Sequence, residues 1–479
     1  MYWSPARRPW WPTLLLLAAV APLPAVAQSA GEPTVTPPAL PLAAAPADPI
    51  GPVTPSETLS LGEALRRFRA DAPTEQQLAG RVAEAKAVVR LASAAALPIV
   101  AGQGGFTRNS DEVIFSFSQI FATIQDLVPF PIDSSGIPQD VVMQPLQQWN
   151  VGASVTVPLV QPTAWADIGA AKKAALATEG GTEAVRQQAE GGLVKAAWLS
   201  RAAEEVLAAS DHAVASARSH RESAQRKYDA GTGTELEVLQ ASTELTRRES
   251  ERLQAVANLD KTRRAMGALL GVTGPVRVQV SDNLDGAPSA DAAATTAMAS
   301  RPDVHAAEAT VEAAQRSASS AWLRNLPTVA GTASVFGSDV AYASGDKTGW
   351  KLGLTATWVL YDGGARYGLL DKAHAQEMQA EGSVRQLTID ADRQARDAVA
   401  AVDVAVARLA LANQAVETAA RAEATAGRLY EAGLLSSLDA LDAQQVRLDV
   451  EVARAGAIAQ VGVARADLAI ATGQGWPTR

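Results

Sequence analysis

The chain has 479 residues, no cysteine, and a formal charge of −9 from 51 acidic and 42 basic side chains. With 47% hydrophobic and 19% charged residues it is neither a disordered nor a collagen-like chain. The lack of cysteine excludes disulfides, thiolate metal sites, a cysteine nucleophile and a lipid-modified N-terminal cysteine, and the acidic balance speaks against nucleic-acid binding, which needs a basic footprint.

Residues 1–27 read as a cleaved signal peptide. Arg7 and Arg8 precede the apolar run Leu14 to Val20, and Ala25-Val26-Ala27 has the small-x-small form of a cleavage site. The run is shorter than the roughly 20 residues a membrane-spanning helix needs, so export is expected. Residues 28–55 hold eight prolines and predict an extended tether. Residues 163–274 and 328–476 contain no proline and are rich in Ala, Glu, Gln, Arg and Leu, which predicts long helices. Leu245, Leu253, Val256, Leu259, Met266 and Leu270 are spaced as one helical face. No segment after the signal peptide has 18 uninterrupted apolar residues, so no helical membrane span is expected.

The sequence repeats itself. At an offset of 202, Tyr228-Asp229-Ala230-Gly231 falls on Tyr430-Glu431-Ala432-Gly433, and Leu236 falls on Leu438. At 201, Trp149 meets Trp350 and Gly152 meets Gly353; at 229, Leu97-Pro98 meets Leu326-Pro327 and Gly102 meets Gly331. The change of offset places 28 extra residues between Gly102 and Trp149. A tandem duplication follows: a first repeat over 56–271, a linker over 272–300, a second repeat over 301–476, and a tail at 477–479.

Each repeat reads helix, strand, strand, long helix, turn, helix. The β-hairpins are expected at about 98–160 and 327–361, and the helix turns at about 228–236 and 430–438. Val151, Ala153, Val155 and Val157 alternate with Gly152, Ser154 and Thr156; Leu352, Leu354, Ala356 and Trp358 alternate with Gly353, Thr355 and Thr357. This is the two-residue period of a strand with one apolar face. Trp149, Trp350, Trp358 and Tyr361 suit either a core or the aromatic girdle of a membrane barrel. Four strands do not close a barrel, so a membrane reading needs several copies, and three would supply twelve strands. Thr163 to Asp229 spans 67 residues, roughly 100 Å as a helix.

In this order the motifs resemble the TolC-type outer-membrane efflux and secretion channels over nearly all of residues 56–476. The matching pieces are Arg301-Pro302-Asp303-Val304, the Leu-Pro pairs, Trp350-Lys351-Leu352-Gly353, Leu360-Tyr361-Asp362-Gly363-Gly364 and the run from Arg428 to Gln444. The resemblance implies a mainly helical α+β protomer and a homotrimer. Its twelve-stranded β-barrel would sit among outer-membrane lipid, continuous with a twelve-helix α-barrel in the periplasm. It implies docking to a periplasmic adaptor protein and an inner-membrane transporter, and a passive conduit for efflux or type I secretion. A soluble periplasmic coiled-coil scaffold is the alternative.

Gly231 and Gly433 follow long helices, where glycine adopts the left-handed conformation that ends them. Thr234 and either Ser436 or Ser437 are placed to cap the returning helices. From spacing alone these are helix hairpins. The resemblance makes them the periplasmic mouth, with Tyr228, Gly231, Thr234, Tyr430, Gly433 and Ser436 as adaptor-contact residues. It also makes Asp439 and Asp442, three apart on one face, a pore constriction of carboxylate rings. Their first-repeat counterparts are Glu237 and Gln240, and Leu434-Leu435 stand where some relatives carry a gate arginine. Phe106, Phe115, Phe117, Phe121 and Phe130 cluster in the expected extracellular insertion. The glycine pairs at 180–181 and 191–192 mark a bend or a close helix contact. His212, His220, His305 and His374 are scattered, and Asp282 to Gly286 lacks calcium-loop spacing, so no catalysis, metal or cofactor is expected.

Overall fold

The structure, a computed structural model, describes residues 51–130, 141–281, 287–340 and 346–476. The signal peptide, the tether up to residue 50, the Asp282–Gly286 segment and the tail at 477–479 lie outside the described residues. In the first half, β1 (Glu57–Ser60), α1 (Leu61–Asp71) and α2 (Pro73–Ala94) lead to β2 (Ile99–Arg108). The insertion forms β3 (Val113–Phe115), α3 (Phe117–Leu127) and β4 (Val141–Gln144). Then follow β5 (Gln147–Val160), α4 (Pro162–Asp229) and α5 (Glu235–Leu269), with β6 (Val276–Gln279) beyond. The second half runs α6 (Ala290–Ser300), α7 (Pro302–Leu323), β7 (Thr328–Ser338), β8 (Thr348–Thr357), α8 (Ala365–Glu431) and α9 (Ser437–Thr472).

Proline at the first turn and the alanine-rich sequence make α4 continuous over 68 residues, about 100 Å long. Two of its four paired glycines make the expected close helix contact. A Cβ on Gly180 would lie 3.0 Å from the Ala306 Cβ, and one on Gly191 would lie 2.3 Å from the Ile470 Cδ1, so both allow close packing, against α7 and α9. Gly181 and Gly192 face open space. The main core gathers Phe68, Leu193, Val194, Trp198, Met266, Leu270, Val276, Val402 and Val461, where α1, α4, α5, α8, α9 and β6 meet. Beside it β1 and β6 pair in parallel, Glu57 opposite Val276. This tie between the N-terminal segment and the inter-repeat linker is invisible to periodicity because each strand has only four residues.

On α5 the expected apolar face is only partly right. Val256, Leu259, Met266 and Leu270 are buried, but Leu253 is exposed, and Arg248 and Arg263 are buried in the same stripe. Leu253 lies two residues from buried Ala255, a rotation of about 200° around the helix. By length and composition alone α8 would be long and apolar enough to cross a membrane, with 22% of its apolar window buried within the chain. Charges such as Asp403 and Arg408 punctuate its alanine and valine, so it has no uninterrupted apolar run of that length.

The main sheet has the order β2-β5-β7-β8, antiparallel throughout. The first strands of the two hairpins, faint in the sequence, extend over Ile99–Arg108 and Thr328–Ser338. β8 ends at Thr357, so Trp358 lies just past it, its indole Nε1 donating to the Asn325 carbonyl at 3.0 Å.

Candidate functional site

The sheet's register sorts its side chains by chemistry. Val155 stands between Val100 and Ala333, Ala153 between Gly102 and Val335, and Trp149 opposite Phe106. Across β8, Val335 meets Trp350, Ala333 meets Leu352 and Gly331 meets Leu354. All of these share one face, because residues paired directly across antiparallel strands point the same way. The other face carries Gln103, Gln148, Asn150, Ser154, Thr156, Ser334, Thr332, Lys351 and Thr355. The apolar face has no cover from its own chain: Trp350 is 72% exposed and Leu354 71%.

Aromatic side chains mark both ends of this face. Phe106, Trp149 and Trp350 lie at one end, with the Phe106 and Trp149 rings 4.8 Å apart. Trp165, Trp322, Trp358 and Tyr361 lie at the other, all exposed. None of the expected aromatics is core. At the two edges, β2 and β8 each offer an unpaired row of backbone donors and acceptors.

The helix hairpins end in matching turns. Gly231 and Gly433 have φ of 71° and 73°, the left-handed region that glycine enters without strain. Thr232 N–H donates to the Lys227 carbonyl at 2.9 Å and Leu434 N–H to that of Leu429 at 2.8 Å, the six-to-one bond of a Schellman turn. Thr234 and Ser436 cap the returning helices, accepting from the Glu237 and Asp439 amides at 3.3 and 3.2 Å. The choice between Ser436 and Ser437 is thereby decided. Ser436→Ala is expected to cost about 1 kcal/mol locally. Hydrogen exchange at residues 437–440 should then speed up; unchanged rates would mean the cap is dispensable.

The structure separates the expected tip residues into two groups. Tyr228, Gly231, Thr234, Gly433 and Ser436 are exposed, as are Leu236, Leu239, Leu434 and Leu438 around them. Tyr430 is only 3% exposed and packs inside the chain. Its ring lies 4.6 Å from that of His220, and the Lys227 Nζ sits 3.7 Å from its centroid and donates to its backbone carbonyl. His220 Nε2 lies 3.0 Å from the Ser437 Oγ. These contacts join α4, α8 and α9 behind the two turns. Burial first, and then the Glu237 carboxylate, push the Tyr430 phenol above its ordinary range. Sequence reasoning missed the His220–Ser437 contact, since 217 residues separate the pair.

Asp439 and Asp442 are both exposed on α9. Asp439 takes a hydrogen bond from the Ser436 Oγ at 2.6 Å, while Asp442 has no side-chain partner among the described residues. Further from the tip, buried Arg248 contacts Glu244 at 2.7 Å, Glu251 at 2.9 Å and Gln445 at 2.6 Å. Arg447 bridges Glu423 at 2.6 Å and Glu451 at 3.0 Å. Burial works to raise the Glu244 carboxyl, but the hydrogen bond from Arg247 and the charge of Arg248 outweigh it and hold the group below its ordinary range. Arg248, Glu423, Arg447 and Glu451, with His212, Ser216 and Gln444, line a cavity of about 250 Å³ between the hairpins. Every charge lining it is matched by an opposite one, so it ties α5 to α9 and α4 to α8 and offers no free group for chemistry. Among the described residues no cluster of His, Asp and Glu is arranged to hold a metal ion.

No curated protein matches this sequence. Solved structures do. The outer membrane protein VceC from Vibrio cholerae is 19% identical with a TM-score of 0.68, the match covering 86% of this chain and 96% of that one. The Campylobacter jejuni CmeC outer membrane channel is 18% identical at a TM-score of 0.70, covering 87% and 86%. The open state of the Neisseria gonorrhoeae MtrE outer membrane channel is 17% identical at 0.69, covering 86% and 88%. At such identities the likeness shows the fold, a mainly helical α+β protomer of the outer-membrane channel type. The family model described as outer membrane efflux protein matches residues 64–272 and 293–474, most of the sequence. The chain belongs to the outer membrane efflux protein family.

Proposed function

We propose that this chain is the outer-membrane component of a tripartite efflux pump, a passive homotrimeric conduit that passes small molecules across the outer membrane. The observation that carries the reading is the sheet: one uncovered face that is apolar between its ends, where Arg108, Gln147 and Thr348 stand, one mainly polar face, and two open edges. An exposed apolar face flanked by aromatics suits lipid, and open strand edges are not tolerated there, so β8 of each copy must pair with β2 of the next. Directions agree, because β2 and β8 run antiparallel in the order β2-β5-β7-β8. Three copies close twelve strands around the polar face, and α4, α5, α8 and α9 of each supply twelve helices reaching into the periplasm. A soluble scaffold would leave the same apolar face in water.

The chain carries no energy source, so transport is driven by an inner-membrane transporter coupled through a periplasmic adaptor. The exposed leucines Leu236, Leu239, Leu434 and Leu438, with Tyr228, give the tips the apolar surface an adaptor docks on, while Gly231, Gly433, Thr234 and Ser436 shape the turns. Tyr430 supports the tip from inside. Asp442, with no partner among the described residues, and Asp439 are the constriction, two rings of three carboxylates that favour cations. The signal peptide at 1–27 directs export.

Single-channel recording of the detergent-purified protein in a planar bilayer tests this. Small cation-selective steps are expected from the wild type, and Asp442→Asn should reduce the cation-to-anion permeability ratio several-fold while enlarging the steps. Steps unaffected by the substitution would move the constriction elsewhere. Absence of any steps from folded trimer would sink the channel reading.

A further inference from the structure

We propose that His220, Ser437, Tyr430 and Lys227 form a pH-sensitive latch, holding the two hairpin tips of one chain together near neutral pH and releasing them on acidification. The four residues come from three helices and meet immediately behind both turns. His220 is 6% exposed and Ser437 5%, so the contact is sealed from water. Its geometry suits a neutral imidazole. One ring nitrogen lies 3.0 Å from the Ser437 hydroxyl, and the ring packs on Tyr430 at 4.6 Å. The aromatic ring is already engaged by a cation, the Lys227 Nζ at 3.7 Å from its centroid.

A second positive charge on His220 would therefore be buried beside Lys227. The charged and titratable groups that bear on His220 are Lys227 from α4, Glu244 from α5 and Tyr430 from α8; Ser437 from α9 is neutral. Burial first, then Lys227, hold the imidazole below its ordinary value, and Glu244 opposes them only in part. Protonation is thus disfavoured in the latched state. A depressed histidine stabilises its packing at pH values above about 6.5, and that contribution is lost as pH falls below it. The latch is a property of one chain; its effect on the pore rests on the channel reading above.

The absence of cysteine makes the test direct. In the full chain, Thr232→Cys and Leu434→Cys place one spin label on each exposed tip, and pulsed EPR reads the distance between them at pH 7.5 and 5.5. The ordinary pKa values of Asp and Glu lie below this window and that of histidine lies inside it. The distribution is expected to move to longer distances, by several ångströms, at pH 5.5. In His220→Gln it should stay at its pH 7.5 position, and in Lys227→Met the midpoint should move to higher pH, because the cation that suppresses protonation is gone. A wild-type distance that does not change, an equal change in His220→Gln, or a midpoint unmoved by Lys227→Met would each overturn the latch. Bilayer recording at the same two pH values separates the readings: tips that part in a protein forming no pores would keep the latch and discard the channel.

Discussion

Leu354→Arg is expected to leave almost no assembled protein in the outer membrane, while Thr355→Arg, one residue along β8, is expected to be tolerated. The two side chains differ only in the face they occupy. Leu354 shares its face with Gly331 and lies midway between Trp350 and Trp358, about 13 Å along the strand from each. In the proposed barrel that places it at the depth where lipid is driest. An arginine on the lipid face at mid-membrane costs about 2–4 kcal/mol, and a trimer incurs the cost three times. Thr355 sits on the polar face opposite Ala330, which in the proposed barrel faces a water-filled lumen where a guanidinium remains hydrated. The check is the amount of heat-modifiable trimer in the outer-membrane fraction of each variant. Equal yields would mean that the apolar face does not meet lipid.

The second large effect concerns the core, where α4 and α9 cross. A Cβ built on Gly462 would stand 2.1 Å from Trp198 Cγ and Cδ2, and Trp198 is 3% exposed. The indole has no room to retreat, since Leu193, Val194, Val402 and Val461 belong to the same cluster. Gly462→Ala should therefore act as overpacking and cost about 1–3 kcal/mol. Trp198→Ala should act as a cavity and cost about 3–5 kcal/mol. Because the added methyl occupies part of that cavity, the double variant should be clearly more stable than the sum of the two losses implies. Thermal midpoints of the detergent-solubilised protein measure all three. Strict additivity would show that Trp198 swings away from Gly462 in solution.

The parts of this architecture that follow local chemical rules are legible in the sequence. Alternation in Val151 to Val157 and Leu352 to Ala356 announces the strands, and a glycine after a proline-free stretch announces each hairpin turn. The long helices are legible for the same reason, as propensity summed over many residues. Contacts between distant residues are not. Nothing near Arg248 signals that it would be buried, because what shelters it includes Gln445 on another helix. His220 looks like any isolated histidine until Ser437 and Tyr430 are placed beside it. Leu253 reads as core because a leucine at a plausible spacing is taken as packed, and only the true rotation of α5 shows otherwise. The Phe-rich insertion has no sustained period, which hides the short elements β3, α3 and β4.

The duplication has a geometric corollary for how copies meet. In the repeat offsets β8 corresponds to β5, and β2 to β7. The joint between β5 and β7, made inside every chain, is therefore the same joint that a closed ring requires between β8 of one copy and β2 of the next. Val155 opposite Ala333 and Val151 opposite Gly337 translate into Ala356 opposite Gly104 and Leu352 opposite Arg108 across that boundary, with every residue still on the outward side. A three-fold assembly thus behaves as a near six-fold one, built from a single kind of seam used six times, alternately covalent and free. In the proposed ring each chain would rehearse internally the contact it makes with its neighbours, so whatever fixes the stagger within the chain would fix it for the ring.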